Sequence, residues 1–326
     1  MKFSAWKKQQ EKPEIVTQYP EKEGLPVVFD ATLHRTDLIS WVSEHKPIIM
    51  KELSRYGAVL LRRFEVNSIE GFEQFVAEMI GQVGKYIEGA TPRSHVGQGV
   101  YTSTEFPQEQ EIFLHNELSY TLTPPALLSF YCITPAREGG QTQLADVRKV
   151  LSFIDQDVIY EFERRGGWSL HRSFGFGMGP SIQKSFGSDD PESLTAYCKE
   201  AEIDILEHKG SMLKTRQQRP VVHQHPNTKE DVWFNHAVFW HPSSLPAEFQ
   251  TTLAQSFKVT DFPFATFYGD GTPIPNKVIQ HVRTAYREAE VMFDWKAGDV
   301  LLLDNKLIAH GRKPFSGERK VLVAMG

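Results

Sequence analysis

Residues 113–120 read FLHNELSY. In an extended strand, positions i and i+2 point to the same face, so His115 and Glu117 project together while Asn116 faces the other way. A neutral imidazole and a carboxylate on one face can share a divalent metal. A second histidine from elsewhere would put three ligands on one side of the ion and leave the opposite positions open. That arrangement suits non-haem Fe(II), which needs those positions for O2 and an organic cosubstrate. A His-x-Glu pair alone is a weak signal. A buried glutamate without a metal or a cationic partner would nonetheless be costly, which favours a use for it.

Several histidines can complete the set. His310 follows an apolar run in GDVLLLDNKLIAHGR, residues 298–312. His223 and His225 form HQH, a second same-face pair, and together with His115 and Glu117 they would make a zinc site of hydrolytic type. His236 and His241 flank AVFW. The residue types alone leave both sets open.

The remainder of the chain must bring these segments together. Its 326 residues are 40% hydrophobic and 24% charged, the balance of a globular protein with a large core. A net charge of -5 with no basic block argues against nucleic acid. No stretch approaches the about 18 apolar residues of a membrane span. The opening MKFSAWKKQQEKPEIV lacks the apolar run of a secretory signal. Cys132 and Cys198 stand alone, as in a reduced, cytoplasmic protein.

Residues 1–25 are polar and proline-punctuated, an arm over the surface. RTDLISWVSEHKPIIMKELSRYG (35–57) reads as helix stopped by Gly57, with Pro47 expected to bend or break it. AVLLRRF reads as a buried strand and NSIEGFEQFVAEMIGQVG as a second helix, with Asn67 as its cap and Glu70 at the third position beyond. From about residue 100 short β-rich runs appear, cut by Gly and Pro. Residues 146–215 read as a helical or loop-like insert, with a lid at 166–187 hinged on Gly175, Gly177, Gly179 and Gly187. Strand texture returns at PVVHQHP and culminates in DVLLLDNKLIAHGR and ERKVLVAMG. Strands early and late around an insert predict a mainly β, α+β fold, one domain over 1–326, with a sandwich or barrel closed by distant segments.

Four motifs then occur in order: HNE (115–117), GGQT (139–142), WKAGDVLLLDN (295–305) and HGRKPFSGER (310–319). Together they resemble the taurine-dioxygenase family of Fe(II)- and 2-oxoglutarate-dependent oxygenases, from about residue 27 to the end. The Glu of His-x-Glu and the HGR look more like the clavaminate-synthase and amino-acid-hydroxylase branch. The resemblance implies a double-stranded β-helix (jelly-roll) core with N-terminal helices. It implies iron held by His115, Glu117 and His310, and 2-oxoglutarate held at its distal carboxylate by Arg319 and Thr142. A guanidinium matches a carboxylate as a fork, so the residue type is sensible; Lys320 next to it points to the opposite face. The implied reaction consumes O2, releases succinate and CO2, and hydroxylates an amino acid or an amino-acid-derived natural-product intermediate. Desaturation, cyclisation and epimerisation are alternatives within the same chemistry; a zinc hydrolase or a non-catalytic barrel lies outside it.

Trp295, Gly298, Asp299, Asp304 and Asn305 match the approach to the distal histidine. They are read as mainly structural, with Asp304 or Asn305 orienting His310. One departure matters: where some members carry a second arginine for an acidic substrate group, this chain has Val323. A taurine-like sulfonate is therefore not expected, and a substrate carboxylate must find another cation. The presence of Glu117 separates the site from the halogenase type. Tyr101, Ser103, Glu105 and Ser119 are candidate substrate contacts, with Glu105 suited to an amine. Lys209, Lys214, Arg216 and Arg219 form a local basic patch suited to docking an acidic carrier protein with a tethered substrate. No motif speaks to oligomeric state.

Overall fold

The computed structural model describes residues 15–19, 24–32, 35–66, 68–84, 86–90, 93–104, 106–175, 177, 179–245, 250, 255 and 257–326. The strands Val300–Asp304 and Lys320–Met325 are apolar on both faces, as a strand covered on both sides must be. Both lie inside an eight-stranded sheet. Its order is Val16–Gln18, Val27–Asp30, Ala58–Arg62, Val300–Asp304, Leu127–Thr134, Lys320–Met325, Val100–Thr102, His95–Gly97. Every pairing is antiparallel except that of Val27–Asp30 with Ala58–Arg62.

The period of two along these strands sorts the core into two layers. Leu301, Leu303, Val321 and Val323 pack with Leu144, Ala145, Ile308 and Ala309 of a second sheet. Val300, Leu302, Leu322 and Ala324 face the other way and pack under two helices, through Leu38, Trp41, Leu53, Phe72 and Phe75. The second sheet has four antiparallel strands in the order Glu290–Phe293, Thr142–Asp146, Ile308–Arg312, Ile112–His115. The fold is thus α+β, with helices on one face of a large sheet and a smaller sheet on the other.

The first helix, Leu38–Tyr56, starts where Asp37 accepts a hydrogen bond from the Ser40 amide at 2.8 Å, and it ends at Gly57 in the left-handed region, φ 74°. It continues through Pro47 as one element, without the expected break. A proline removes one helical hydrogen bond; here the buried stripe Leu38, Trp41, Val42, Ile49 and Leu53 continues on both sides and packs both halves against the sheet. Ser68 caps the second helix, Ile69–Met79. Of the expected N-terminal arm, Val16–Gln18 forms an edge strand on Val27–Asp30, and residues 1–14 and 20–23 lie outside the described residues.

The insert differs from expectation. Besides the helices Val147–Phe153, Gln156–Arg164, Ile182–Phe186 and Pro191–Glu200, it contains the strands Trp168–Phe174, Ile203–Lys209 and Met212–Arg219. With Phe264–Tyr268 these form a third, antiparallel sheet. The strands escape a reading by apolar alternation because their buried positions include Ser169, Arg172, Ser173, Thr215, Gln217 and Arg219. Hydrogen bonds compensate that polarity: Ser169 Oγ donates to Tyr268 O, and Ser173 Oγ to Thr260 O. Over 166–187, where a lid is expected, the described residues include a buried strand at 168–174 and a helix at 182–186, and Phe176 and Met178 lie outside the described residues. Among the described residues, no helix is long and apolar enough to cross a membrane.

Two histidines set a pH limit on this fold. Burial pushes His241 down to about 4; its Nδ1 accepts the Ser243 amide and Nε2 meets the Ile274 carbonyl. Burial, reinforced by Arg216, pushes His171 down to about 4 as well. The unfolded chain therefore binds more protons than the folded one between about pH 6.5 and about pH 4. Stability is full above that window and is lost as the pH falls through it. Urea midpoints are expected to drop between about pH 7 and about pH 4.5, and His241→Gln should flatten the decline; a pH-independent midpoint would contradict this.

Candidate functional site

The register of the small sheet sets His310 opposite His115. Their ring centroids are 4.6 Å apart, and one ligand atom from each of His115, Glu117 and His310 falls within 4.8 Å of the others. Among the described residues this is the one such group of three or more. His115 Nδ1 is 2.8 Å from the Phe113 carbonyl. Donation there leaves Nε2 as a lone-pair ligand. His310 is buried and its Nδ1 has no hydrogen-bond partner. Burial lowers the pKa of His115, although Glu117 opposes it, and holds His310 far below the imidazole range, with His115 and Arg93 adding to the shift. Both rings are therefore neutral at physiological pH, the form that binds a metal. Two neutral imidazoles, one with an orphaned nitrogen, and a buried carboxylate fit a divalent ion.

The strand stops at His115, and the same-face geometry expected for His115 and Glu117 arises differently. Residues 116–120 form a turn with Leu118 at φ 51°. Asn305 holds this turn. Its Oδ1 accepts the Glu117 amide at 2.8 Å, and its Nδ2 donates to the carbonyls of Glu117 and Pro125 at 2.9 and 2.8 Å. Asn116, facing away as expected, donates to the Asn305 carbonyl at 2.7 Å. The role expected for Asp304 or Asn305 therefore shifts: Asn305 acts on the glutamate, and Asp304 pairs with His225 Nε2 at 3.1 Å. Between His310 and Arg312, a Cβ on Gly311 would sit 2.5 Å from the Ile112 carbonyl, so only glycine lets these strands close.

A cavity beside the triad is lined by Arg93, Ser103, Thr142, His310, Arg312 and Arg319, among others. Thr142 Oγ1 accepts the Trp295 indole N–H at 2.9 Å, which leaves its own proton free to donate. Arg319 Nε donates to Gly140 O at 3.2 Å. Burial, and then repulsion from Arg312, push Arg319 down to about 10, so a cationic guanidinium sits where an anion would relieve it. Arg312 spends its donors on the carbonyls of Phe106, Pro107 and Gln110. Lys320 is exposed, as expected. A larger hollow, lined by Glu163, Glu202 and Asp204, carries no member of the triad.

The substrate candidates fare unevenly. Ser103 lines the cavity. Tyr101 packs instead against Tyr86 and His95. Ser119 is turned away by the bend at Leu118 and its Oγ lies 2.5 Å from His236 Nδ1. Glu105 lies outside the described residues. The basic patch is largely neutralised: Lys214 pairs with Asp261, Arg216 with Asp204, and Arg219 is buried against the carbonyls of Tyr120 and Ala201. HQH forms no metal group either, because His225 has both nitrogens engaged and His223 packs on Phe234. Two residues were not anticipated in these roles. Arg93 bonds Glu117 Oε2 at 2.6 Å, and a lone arginine in TPRS carries no sequence signal for that. His236, noted only as a flank of AVFW, sits 5.6 Å from His115, ring to ring.

Comparison with known proteins identifies the relatives of the chain. The model of the family described as "Taurine catabolism dioxygenase TauD, TfdA family" matches residues 21–325. The dapdiamide synthesis protein DdaC of Enterobacter agglomerans is 36% identical over 307 residues, 94% of this chain and 93% of its own. A clavaminate synthase-like protein of Arabidopsis thaliana is 29% identical over 283 residues, covering 84% of this chain and 82% of its own. Among solved structures, PvcB of Pseudomonas aeruginosa shares the fold with a TM-score of 0.56 at 15% identity, covering 97% of this chain and 92% of that one.

The Asn305 clamp is testable. Asn305→Ala removes three side-chain hydrogen bonds in a fully buried place, which should cost about 2–4 kcal/mol in urea unfolding. Asn305→Asp keeps the acceptor but loses both donors and should be no milder. In either variant Mn(II) binding by calorimetry should weaken; wild-type affinity in a folded variant would show that the clamp does not serve Glu117.

Proposed function

Because the chain belongs to the taurine catabolism dioxygenase TauD, TfdA family, we propose that it is an Fe(II)- and 2-oxoglutarate-dependent dioxygenase that hydroxylates an amino acid or an amino-acid-derived natural-product intermediate. The observation that carries the reading is the cluster of His115, Glu117 and His310 beside a cavity that also holds Arg319 and Thr142. In this reading the three residues hold the iron and the two facing sheets are the jelly-roll core of a single domain. Iron, with 2-oxoglutarate and O2, supplies the oxidising power that converts a substrate C–H bond to C–OH, with succinate and CO2 released.

The chain's own residues supply position and dryness. Arg319 offers a fork to the distal carboxylate of 2-oxoglutarate, and the Thr142 hydroxyl, held by Trp295, donates to the same group. Arg312 ties down residues 106–110 beside the cavity. Phe239, 4.7 Å from His115 ring to ring, and Phe130, 5.3 Å from His310, line the metal side with apolar surface. The substrate class rests on the kinship with the dapdiamide synthesis protein across nearly the whole chain. The glutamate in the ligand set and the valine at position 323 agree with it. Substrate presentation, free or carrier-bound, is decided by assaying both forms.

Under anaerobic conditions, Fe(II) and 2-oxoglutarate should give the visible metal-to-ligand charge-transfer band, and a true substrate should perturb it. His310→Ala should abolish both the band and succinate formation. Arg319→Ala should raise the KM for 2-oxoglutarate by about tenfold or more, since it removes a charge-assisted contact to the cosubstrate. Full activity in His310→Ala would overturn the assignment.

A further inference from the structure

We infer that Arg93 is a positioning residue that makes Glu117 a one-oxygen ligand: it holds one carboxylate oxygen and leaves the other to the metal. The inference rests on the oxygenase reading above and extends it to a residue outside the triad. Both partners are buried, with side chains 4% and 6% exposed, and Arg93 Nη2 meets Glu117 Oε2 at 2.6 Å. The guanidinium also lies 5.1 Å over the Tyr86 ring, and Arg93 lines the same cavity as His115, Thr142, His310 and Arg319. From the backbone side Asn305 fixes Glu117 independently. The carboxylate is therefore gripped at both ends, and rotation about its last bond would break a buried, charge-assisted contact.

The consequence is chemical. A glutamate free to rotate can bind a metal through both oxygens, and the second would take a position that the cosubstrate or O2 requires. A short buried contact to one oxygen opposes that, because it occupies a lone pair of Oε2 and fixes the plane of the carboxylate. Arg93 also gives Glu117 the cationic partner that a buried carboxylate needs before any metal arrives.

The test compares wild type, Arg93→Gln and Arg93→Lys, with folding checked by circular dichroism. Fe(II) binding is measured by calorimetry, and 2-oxoglutarate binding by anaerobic titration of the charge-transfer band. In Arg93→Gln the Kd for 2-oxoglutarate should rise by about tenfold or more and the band should weaken, while Fe(II) still binds. Arg93→Lys, which keeps the charge without the fork, should recover part of the affinity. If Arg93→Gln does not fold, Arg93→Lys alone carries the test, and a wild-type Kd in it overturns the inference. A folded Arg93→Gln with wild-type Kd and band overturns it too, as does loss of Fe(II) with unchanged 2-oxoglutarate affinity in the loaded fraction. Absence of the band in the wild type overturns the oxygenase reading itself, and the two failures are thereby distinguishable.

Discussion

Strand Ile308–Arg312 lies antiparallel to Ile112–His115, in a register that places His310 across from His115. A slip of one residue would turn His310 to the other face and replace it with Ala309 or Gly311. The register is held from several sides. Ile308 and Ala309 sink into the layer between the sheets, the other edge of the strand is paired with Thr142–Asp146, and Gly311 permits a backbone approach that no side chain would tolerate. The site is thus a by-product of how the core closes, and its residues need no separate folding event to meet.

Around that pairing the interior is unusually rich in charge. Arg93, Arg172, Arg312 and Arg319 are all largely withdrawn from water, and Glu117 answers only one of them directly. Arg312 and Arg172 rely on carbonyls, a serine hydroxyl and aromatic faces instead. Neutral partners of that kind stabilise a guanidinium less than a carboxylate does. Of these, Arg93, Arg312 and Arg319 line the cavity, which is thereby electrostatically prepared for an anion, and that is the physical reason that a dicarboxylate cosubstrate suits it.

Much of this was legible in the chain. Runs such as VLLLD and KVLVAM announce strands covered on both faces, and the HNE and HGR segments, read together, name the three residues that cluster. The helical period and Gly57 marked the first helix correctly, although Pro47 wrongly argued for a break. The third sheet was not legible because its buried faces carry Arg172, Thr215 and Gln217, which erase the apolar alternation. Arg93 was equally invisible: its importance comes from where a loop folds back, and pairing across a cavity leaves no periodic trace. Ser119 was misplaced because a two-residue period was carried past His115 into a turn.

The turn that carries Glu117 ends at Tyr120, whose carbonyl accepts from Gln217 Nε2 at 2.8 Å and Arg219 Nε at 3.0 Å, both on the third sheet. The turn after the sheet of His115 and His310 and the inserted sheet thus meet over one peptide oxygen held by two donors. Such a junction couples the turn that carries Glu117 to the inserted sheet through one shared acceptor. A displacement of Gln217 or Arg219 would therefore reach Glu117 through three residues of turn, while the strands that carry His115 and His310 stay paired.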